Sequence, residues 1–343
     1  MSRPADWLVQ IEQFIRRDPA RRGLLGAEDR FPPLLIGQLG AAAADLAATG
    51  RAAAVVTGFF IPSATPPAAE TDGPPGSVLL AQTLTNLGIE SEVITDTPCE
   101  SAVRAYARAA GFPDDRVRIA PAGDEAAFAA WLADWKASPF ASKLTHLISL
   151  ERVGPSHTPR SLAAQPRVGP APSARFSALV PPEACDRPHN MRGVDLSAHT
   201  APLHRLFEHP IIPGRLVRTI GIGDGGNEIG MGQVPWEELV ARLPGESSGK
   251  IPCRIATDLT ILAGVSNWGG AALAAAVAAM LGRVDVLVGD TREREQHLLE
   301  AMVTSGPAVD GVVRAQQPTV DGLPFLTYIQ PWSGIRRVLG LPE

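Results

Sequence analysis

Cysteine and lysine are nearly missing from this chain of 343 residues. Cys99, Cys185 and Cys253 are few, widely spaced and odd in number, which argues against a disulfide framework or a cysteine metal site and points to a reducing cytoplasm. Lysine occurs only as Lys136, Lys143 and Lys250, while arginine and alanine abound, a genomic bias that makes any single arginine less informative. No long basic block interrupts a net charge of -5, made of 31 basic and 36 acidic residues, so nucleic acid is excluded as a partner. The N-terminus has scattered charges and no apolar core of a signal peptide. Residues 261–281 carry no charge, yet Ser266, Asn267 and the Gly269-Gly270 pair break the run and alanine dominates its second half. This segment is expected to be a buried loop and helix, with no membrane association. No internal repeat is found.

What is present suits a large core: 45% of residues are hydrophobic. Strand-like runs at 52–61, 92–95, 116–120, 144–150, 216–222, 256–263, 284–288 and 312–315 alternate with helical patterns at 77–87, 101–110, 124–137, 270–281 and 291–304. Such alternation predicts an α/β fold, a doubly wound and mostly parallel sheet with helices on both faces, because each parallel pair needs a crossover. The whole chain, 1–343, is expected to form one such domain. Residues 7–17 and 34–48 supply a helical N-terminal segment within 1–50, and about 155–189 form a Pro- and Ala-rich insertion, either a surface excursion or a lid. The strand order has no signal in the pattern.

The densest chemistry lies in GIGDGGNEIGMG, Gly221 to Gly232, where six glycines surround Asp224, Asn227 and Glu228 after an apolar run. Glycines let a backbone turn sharply beside a ligand, and the three polar side chains offer acid-base, metal-binding or hydrogen-bonding atoms. Gly221, Gly223 and Gly226 match a dinucleotide fingerprint, but about two hundred residues precede them and Asp224 would repel a pyrophosphate, so NAD is not expected. A plain turn with Asp224 as a helix cap is the structural alternative.

Ligands of open α/β sheets collect at the carboxyl ends of strands, which draws attention to the polar residues there. Glu70 and Asp72, two apart, would aim to one side of an extended backbone, or serve a turn. Glu151-Arg152 follow another run, as a functional pair or a solvated ion pair. Ser266 and Asn267 lie where they would cap a helix. The Asn190 to Gly193 segment is a loop of undecided role. His199, His204 and His209 recur every five residues, off the spacing of a helical metal pair, and are expected on the surface.

The series TGFF, ETDGPPG, ERVGP, NMRG, IGDGGNEIGMG, AGVSNWGG and TVDGL resembles, in order, the D-glutamate cyclase family over about residues 57–323. The stretch between ERVGP and NMRG is longer than in the family's mitochondrial members. The resemblance implies a lyase, specifically a hydro-lyase, that interconverts D-glutamate and 5-oxo-D-proline plus water. It gives Asp224, Asn227 and Glu228 catalytic roles, and substrate-binding roles to Arg152, Arg192, Ser266, Asn267, Gly225 and Gly226. Glu70 and Asp72, with Asp224, could hold magnesium or manganese. The glycine-turn amides, Asn227 and Asn267 could donate to an oxyanion. The lysines fall outside every motif, which argues against a Schiff base and pyridoxal phosphate. Two other functions stay open: a nucleotide-dependent enzyme using Gly221 to Gly226, and a non-catalytic D-amino-acid binding protein. D-glutamate is the expected partner, and a homo-oligomer is an open alternative.

Overall fold

Runs of Ala, Val, Ile and Leu buried on both sides become strands of a parallel sheet, since only such strands can be covered by crossover helices on each face. The computed structural model describes residues 6–25, 30–208, 211–212 and 214–342. Its strands are β1 (Ala52–Thr57), β2 (Phe60–Ile61), β3 (Ala68–Ala69), β4 (Glu90–Asp96), β5 (Val117–Ala120), β6 (His146–Leu150), β7 (Arg218–Gly223) and β8 (Leu259–Leu262). All but β2 and β3 form one sheet in the order β5-β4-β1-β6-β7-β8, with every neighbouring pair parallel. The small pair β2 and β3 is antiparallel, and β1 ends before it because Gly58 turns the chain at φ 106°.

The helices are α1 (Asp6–Ile15), α2 (Gln38–Thr49), α3 (Pro74–Asn86), α4 (Glu100–Ala110), α5 (Glu125–Lys136), α6 (Pro159–Ala164), α7 (Ser173–Leu179), α8 (Trp236–Arg242), α9 (Ser266–Met280), α10 (Arg292–Ser305), α11 (Phe325–Tyr328) and α12 (Gln330–Val338). Alternation along β1 divides the core. Ala53 and Val55 join α2, α3, α4 and α9 on one face, while Ala52, Ala54 and Val56 meet Phe128 and Trp135 of α5 and the Leu203–Leu206 turn on the other. The doubly wound expectation holds. So does the buried-helix expectation for the uncharged segment, since α9 is buried almost throughout. No helix among the described residues is long and apolar enough to cross a membrane.

Helices α3 and α9 pack closely because glycines lie where they approach. A Cβ on Gly76 would stand 2.7 Å from the Asn267 Cα, and one on Gly270 only 2.8 Å from the Gly76 carbonyl oxygen. Both N-termini are thereby drawn to one spot at the sheet edge. Gly76→Ala is expected to destabilise the protein by about 1–3 kcal/mol through overpacking, read as a lower denaturant midpoint at unchanged m-value.

Three expectations need correction. Residues 284–288 are not a strand: Val284–Leu287 is a 3-10 turn anchored by buried Leu287. Residues 312–315 form no strand either, because Asp310 Oδ1 accepts hydrogen bonds from the Val312 and Val313 amides and holds a turn. The 155–189 segment is no loose loop. It contains α6, opened by a Thr158–Ser161 capping box, and α7, and both pack through Leu162 and Phe176 against Trp236. Helices of six and seven residues between prolines are too short to show a period.

Candidate functional site

Counting only the six main strands, the order is 3-2-1-4-5-6, which places a switch point between β1 and β6. The chain leaves these neighbours towards opposite edges, opening a crevice at their carboxyl ends. A cavity of about 220 Å³ occupies it. Phe59 and Ile61 after β1, Glu70 after β3, Glu151 after β6 and Asp224 after β7 line it, joined by Asp321 from the C-terminal region.

The floor is acidic. Oxygens of Asp72, Glu151 and Asp224 lie within 4.8 Å of one another, and all three residues are buried. Glu151 sits at φ 47°, a left-handed conformation that costs a non-glycine residue on the order of 1 kcal/mol or more and persists only where its surroundings hold it. Ser266 Oγ donates to its carboxylate at 2.5 Å. Asp72 accepts from the Ser266 and Asn267 amides at 2.9 and 2.8 Å, so it caps α9 from a distant part of the chain. Ser266 and Asn267 are accordingly the first helical residues and not the cap.

Crowding makes these carboxyls weak acids. Burial, reinforced by neighbouring carboxylates, pushes Glu70, Glu151 and Asp224 well above the usual carboxyl range, although Arg22 opposes the shift at each. Burial and Asp321 raise Asp72 to about 7. A carboxyl in that range exchanges protons near neutral pH, and a cationic ligand would be drawn to the cluster.

One cation is built in. Arg22 pairs through Nη1 with Asp224 and through Nη2 with Asp321, the latter at 2.8 Å. It arrives on a strap after α1. The Gly264 amide donates to the Ile15 carbonyl oxygen at 2.8 Å, and a Cβ on Gly264 would stand 1.5 Å from the Arg17 carbonyl oxygen, so only glycine admits this path. Asp18 then accepts from the Arg22 and Gly23 amides at 2.9 and 2.8 Å, fixing the turn that aims Arg22 inward. Arg21 and Arg192 stand exposed at the rim of the same cavity. Among the described residues neither guanidinium has an acidic partner.

Of the residues singled out from sequence, Asp224, Asn227, Glu228, Arg192 and Glu70 line the cavity, while Asp72, Ser266 and Asn267 lie against its floor. Arg152 does not. Its guanidinium donates to Gly58 O, Asp96 Oδ2 and Ala201 O within the core, so Glu151 and Arg152 point apart and form no ion pair. No helix begins at Asp224. Gly226 at φ 95° and Gly230 at φ 111° keep the chain irregular, and the Glu228 carboxylate turns back to accept from the Asp224, Gly225 and Gly226 amides at 3.3, 2.7 and 2.8 Å. Those amides are thus engaged within the loop. Asn267 is engaged too: Oδ1 accepts from the Gly73 and Gly76 amides, and Nδ2 donates to Thr71 O. Asn227 Nδ2 donates to His189 O at 2.9 Å. Glu70 falls outside the three-carboxylate group, in which Glu151 stands instead.

The histidines are not a bare surface series. His199 stacks on Phe60 at 5.2 Å, and half-buried His204 is pushed down to about 4 by burial; His209 lies outside the described residues. Sequence reasoning missed Arg22 altogether and assigned nothing to Asp321. The available signals were Gly264 within AGVSNWGG, which marks a close backbone approach, and the aspartate of TVDGL.

A doubly wound α/β protein with a small-molecule-sized, charged crevice at its switch point belongs to the class that binds ligands between the carboxyl ends of its strands. The chain is a member of the D-glutamate cyclase-like, C-terminal family, whose profile matches residues 11–165 and 180–330. It is 30% identical over 279 residues to the mitochondrial D-glutamate cyclase of Homo sapiens, covering 78% of this chain and 38% of that protein. The chain therefore spans well under half the length of this relative. The family match omits residues 166–179, within the Pro-rich segment and including all of α7.

Proposed function

We propose that the protein is a D-glutamate cyclase, a hydro-lyase interconverting D-glutamate and 5-oxo-D-proline plus water. The observation that carries this reading is the sorting of charge in one cavity, carboxylates on the floor and unengaged arginines at the rim. An amino diacid has the complementary pattern: its ammonium suits the floor, and a carboxylate suits the planar fork of Arg192. Ring closure is intramolecular, so proximity is largely supplied by the substrate. The remaining task of the floor is to take a proton from the ammonium, and buried carboxyls raised above their usual range, Asp224 lining the cavity and Asp72 beside it at about 7, are suited to it.

The group Asp72, Glu151 and Asp224 also has the hard oxygen ligands and the spacing suited to magnesium or manganese. Such an ion would supply Lewis acidity at a carboxylate oxygen. The nucleotide-dependent alternative draws no support here, because Glu228 occupies the amides that would cradle a phosphate.

The reading is tested by incubating purified protein with D-glutamate, in EDTA and then with added magnesium or manganese, and following 5-oxoproline. Product in any arm supports it; none in every arm and in either direction rejects it. Arg192→Lys is expected to raise KM about tenfold with little change in kcat, because a single ammonium replaces a two-pronged donor in ground and transition states alike. Unchanged steady-state constants would remove Arg192 from the site.

A further inference from the structure

We propose that Arg22 is a catalytic residue, the buried cation that meets the side-chain carboxylate of the amino diacid as its oxygen leaves. The proposal rests on the cyclase reading above and adds a residue that the motifs did not suggest. A carboxylate is a poor electrophile, and charge that builds on its oxygens during attack must be met by donors. The expected donors are engaged elsewhere: the Gly225 and Gly226 amides donate to Glu228, Asn267 Nδ2 to Thr71 O and Asn227 Nδ2 to His189 O. Arg22 lines the cavity at its acidic floor with its side chain 15% exposed. Its two ion-pair partners among the described residues, Asp224 and Asp321, each meet a different terminal nitrogen, which leaves further N–H groups of its five for a ligand.

The construction behind Arg22 exceeds what charge neutralisation requires. Any nearby cation could offset the cluster, yet this one is carried by a strap clamped at Gly264 and turned by Asp18, which fixes where the guanidinium stands. A donor held in place before reaction has little reorganisation left to undergo.

In the forward direction the ammonium first loses a proton to a floor carboxyl. The nitrogen lone pair then attacks the side-chain carboxyl carbon, forming the C–N bond, and a C–O bond of that carbon breaks. Of the three ammonium protons one stays on the lactam nitrogen and two leave with the oxygen as water, so atoms balance and charge is -1 on both sides. Arg22 keeps its own proton throughout and acts only by charge and hydrogen bonding.

The test compares wild-type protein, Arg22→Gln and Arg22→Lys in steady-state turnover of D-glutamate and 5-oxo-D-proline, with circular dichroism to confirm folding. Arg22→Gln is expected to lower kcat by about 10²–10³-fold, the usual loss for one such donor, with KM changed less than about threefold. Arg22→Lys should recover part of kcat, and millimolar guanidinium should restore part of it to the Gln variant, neither of which a merely structural role would produce. Should the Gln variant fail to fold, the Lys variant carries the same kcat-against-KM reading. A folded variant with wild-type kcat, or a loss confined to KM, overturns the role of Arg22 while leaving the cyclase reading intact. Absence of turnover by the wild type in both directions overturns that reading and this proposal together.

Discussion

Asp224→Asn is expected to lower turnover of D-glutamate by two orders of magnitude or more while the protein stays folded. Asp224 is 3% exposed, belongs to the group with Asp72 and Glu151, and holds Arg22. Asparagine keeps its shape and hydrogen bonding but can neither take a proton at neutral pH nor present an anion to a cation, and losses of this size are typical for a general base or an essential metal ligand. The fold should tolerate the change, because Asp321 still pairs with Arg22. Steady-state kinetics beside a thermal melt separates the two effects. Near-normal turnover in the folded variant would make Asp224 structural.

Glu151→Gln is expected to combine a loss of activity of about a hundredfold with a gain in stability of about 1–2 kcal/mol at pH 8 in EDTA. Burial first, and then Glu228 and Asp72, push this carboxyl well up, so its ionised form is uncomfortable in the folded protein. The sign follows from linkage. A carboxyl whose folded pKa exceeds its unfolded value binds protons more tightly when folded, so its stabilisation is complete below about pH 4 and is lost progressively as pH rises from there towards the raised folded value. The wild type should therefore lose more stability between pH 5 and pH 8 than the variant does. Denaturant midpoints at the two pH values measure this, and equal losses would show that Glu151 bears no such strain.

Much of the sheet was legible because buried parallel strands leave long apolar runs, and α4, α5 and α10 began within about a residue of their sequence signals. Strand order was not, since it depends on which crossover lies over which face and leaves no local trace. In the site, the principle that polar residues after strands face the ligand found Glu70, Asp72 and Asp224. Of Glu151 and Arg152 the wrong one, Arg152, was given a site role, because successive residues point to opposite sides and the φ 47° twist at Glu151 sets which one enters the cavity. Asp224 and Glu228 have the four-residue spacing of a helical face, but the glycines between and after them disfavour a helix and let Glu228 fold back onto the loop. Arg22 was hidden for a different reason. It is one arginine among many, some two hundred residues from Asp224, and its role exists only once the strap has docked on Gly264.

The crevice between β1 and β6 is proposed to convert a D-amino diacid to its lactam, and the stereochemistry of turnover is the decisive measurement. Purified protein would be incubated separately with D- and L-glutamate, and with 5-oxo-D- and 5-oxo-L-proline, in the presence of magnesium or manganese, and the products resolved by chiral chromatography. In the proposed reading the floor takes the ammonium and the rim a carboxylate, in a cavity that Phe59 and Ile61 also line, so one hand should react and the other should not. Interconversion of D-glutamate and 5-oxo-D-proline, with turnover of the L pair at least a hundredfold slower, is the predicted result. Equal rates on both enantiomers, or none on either, would contradict it.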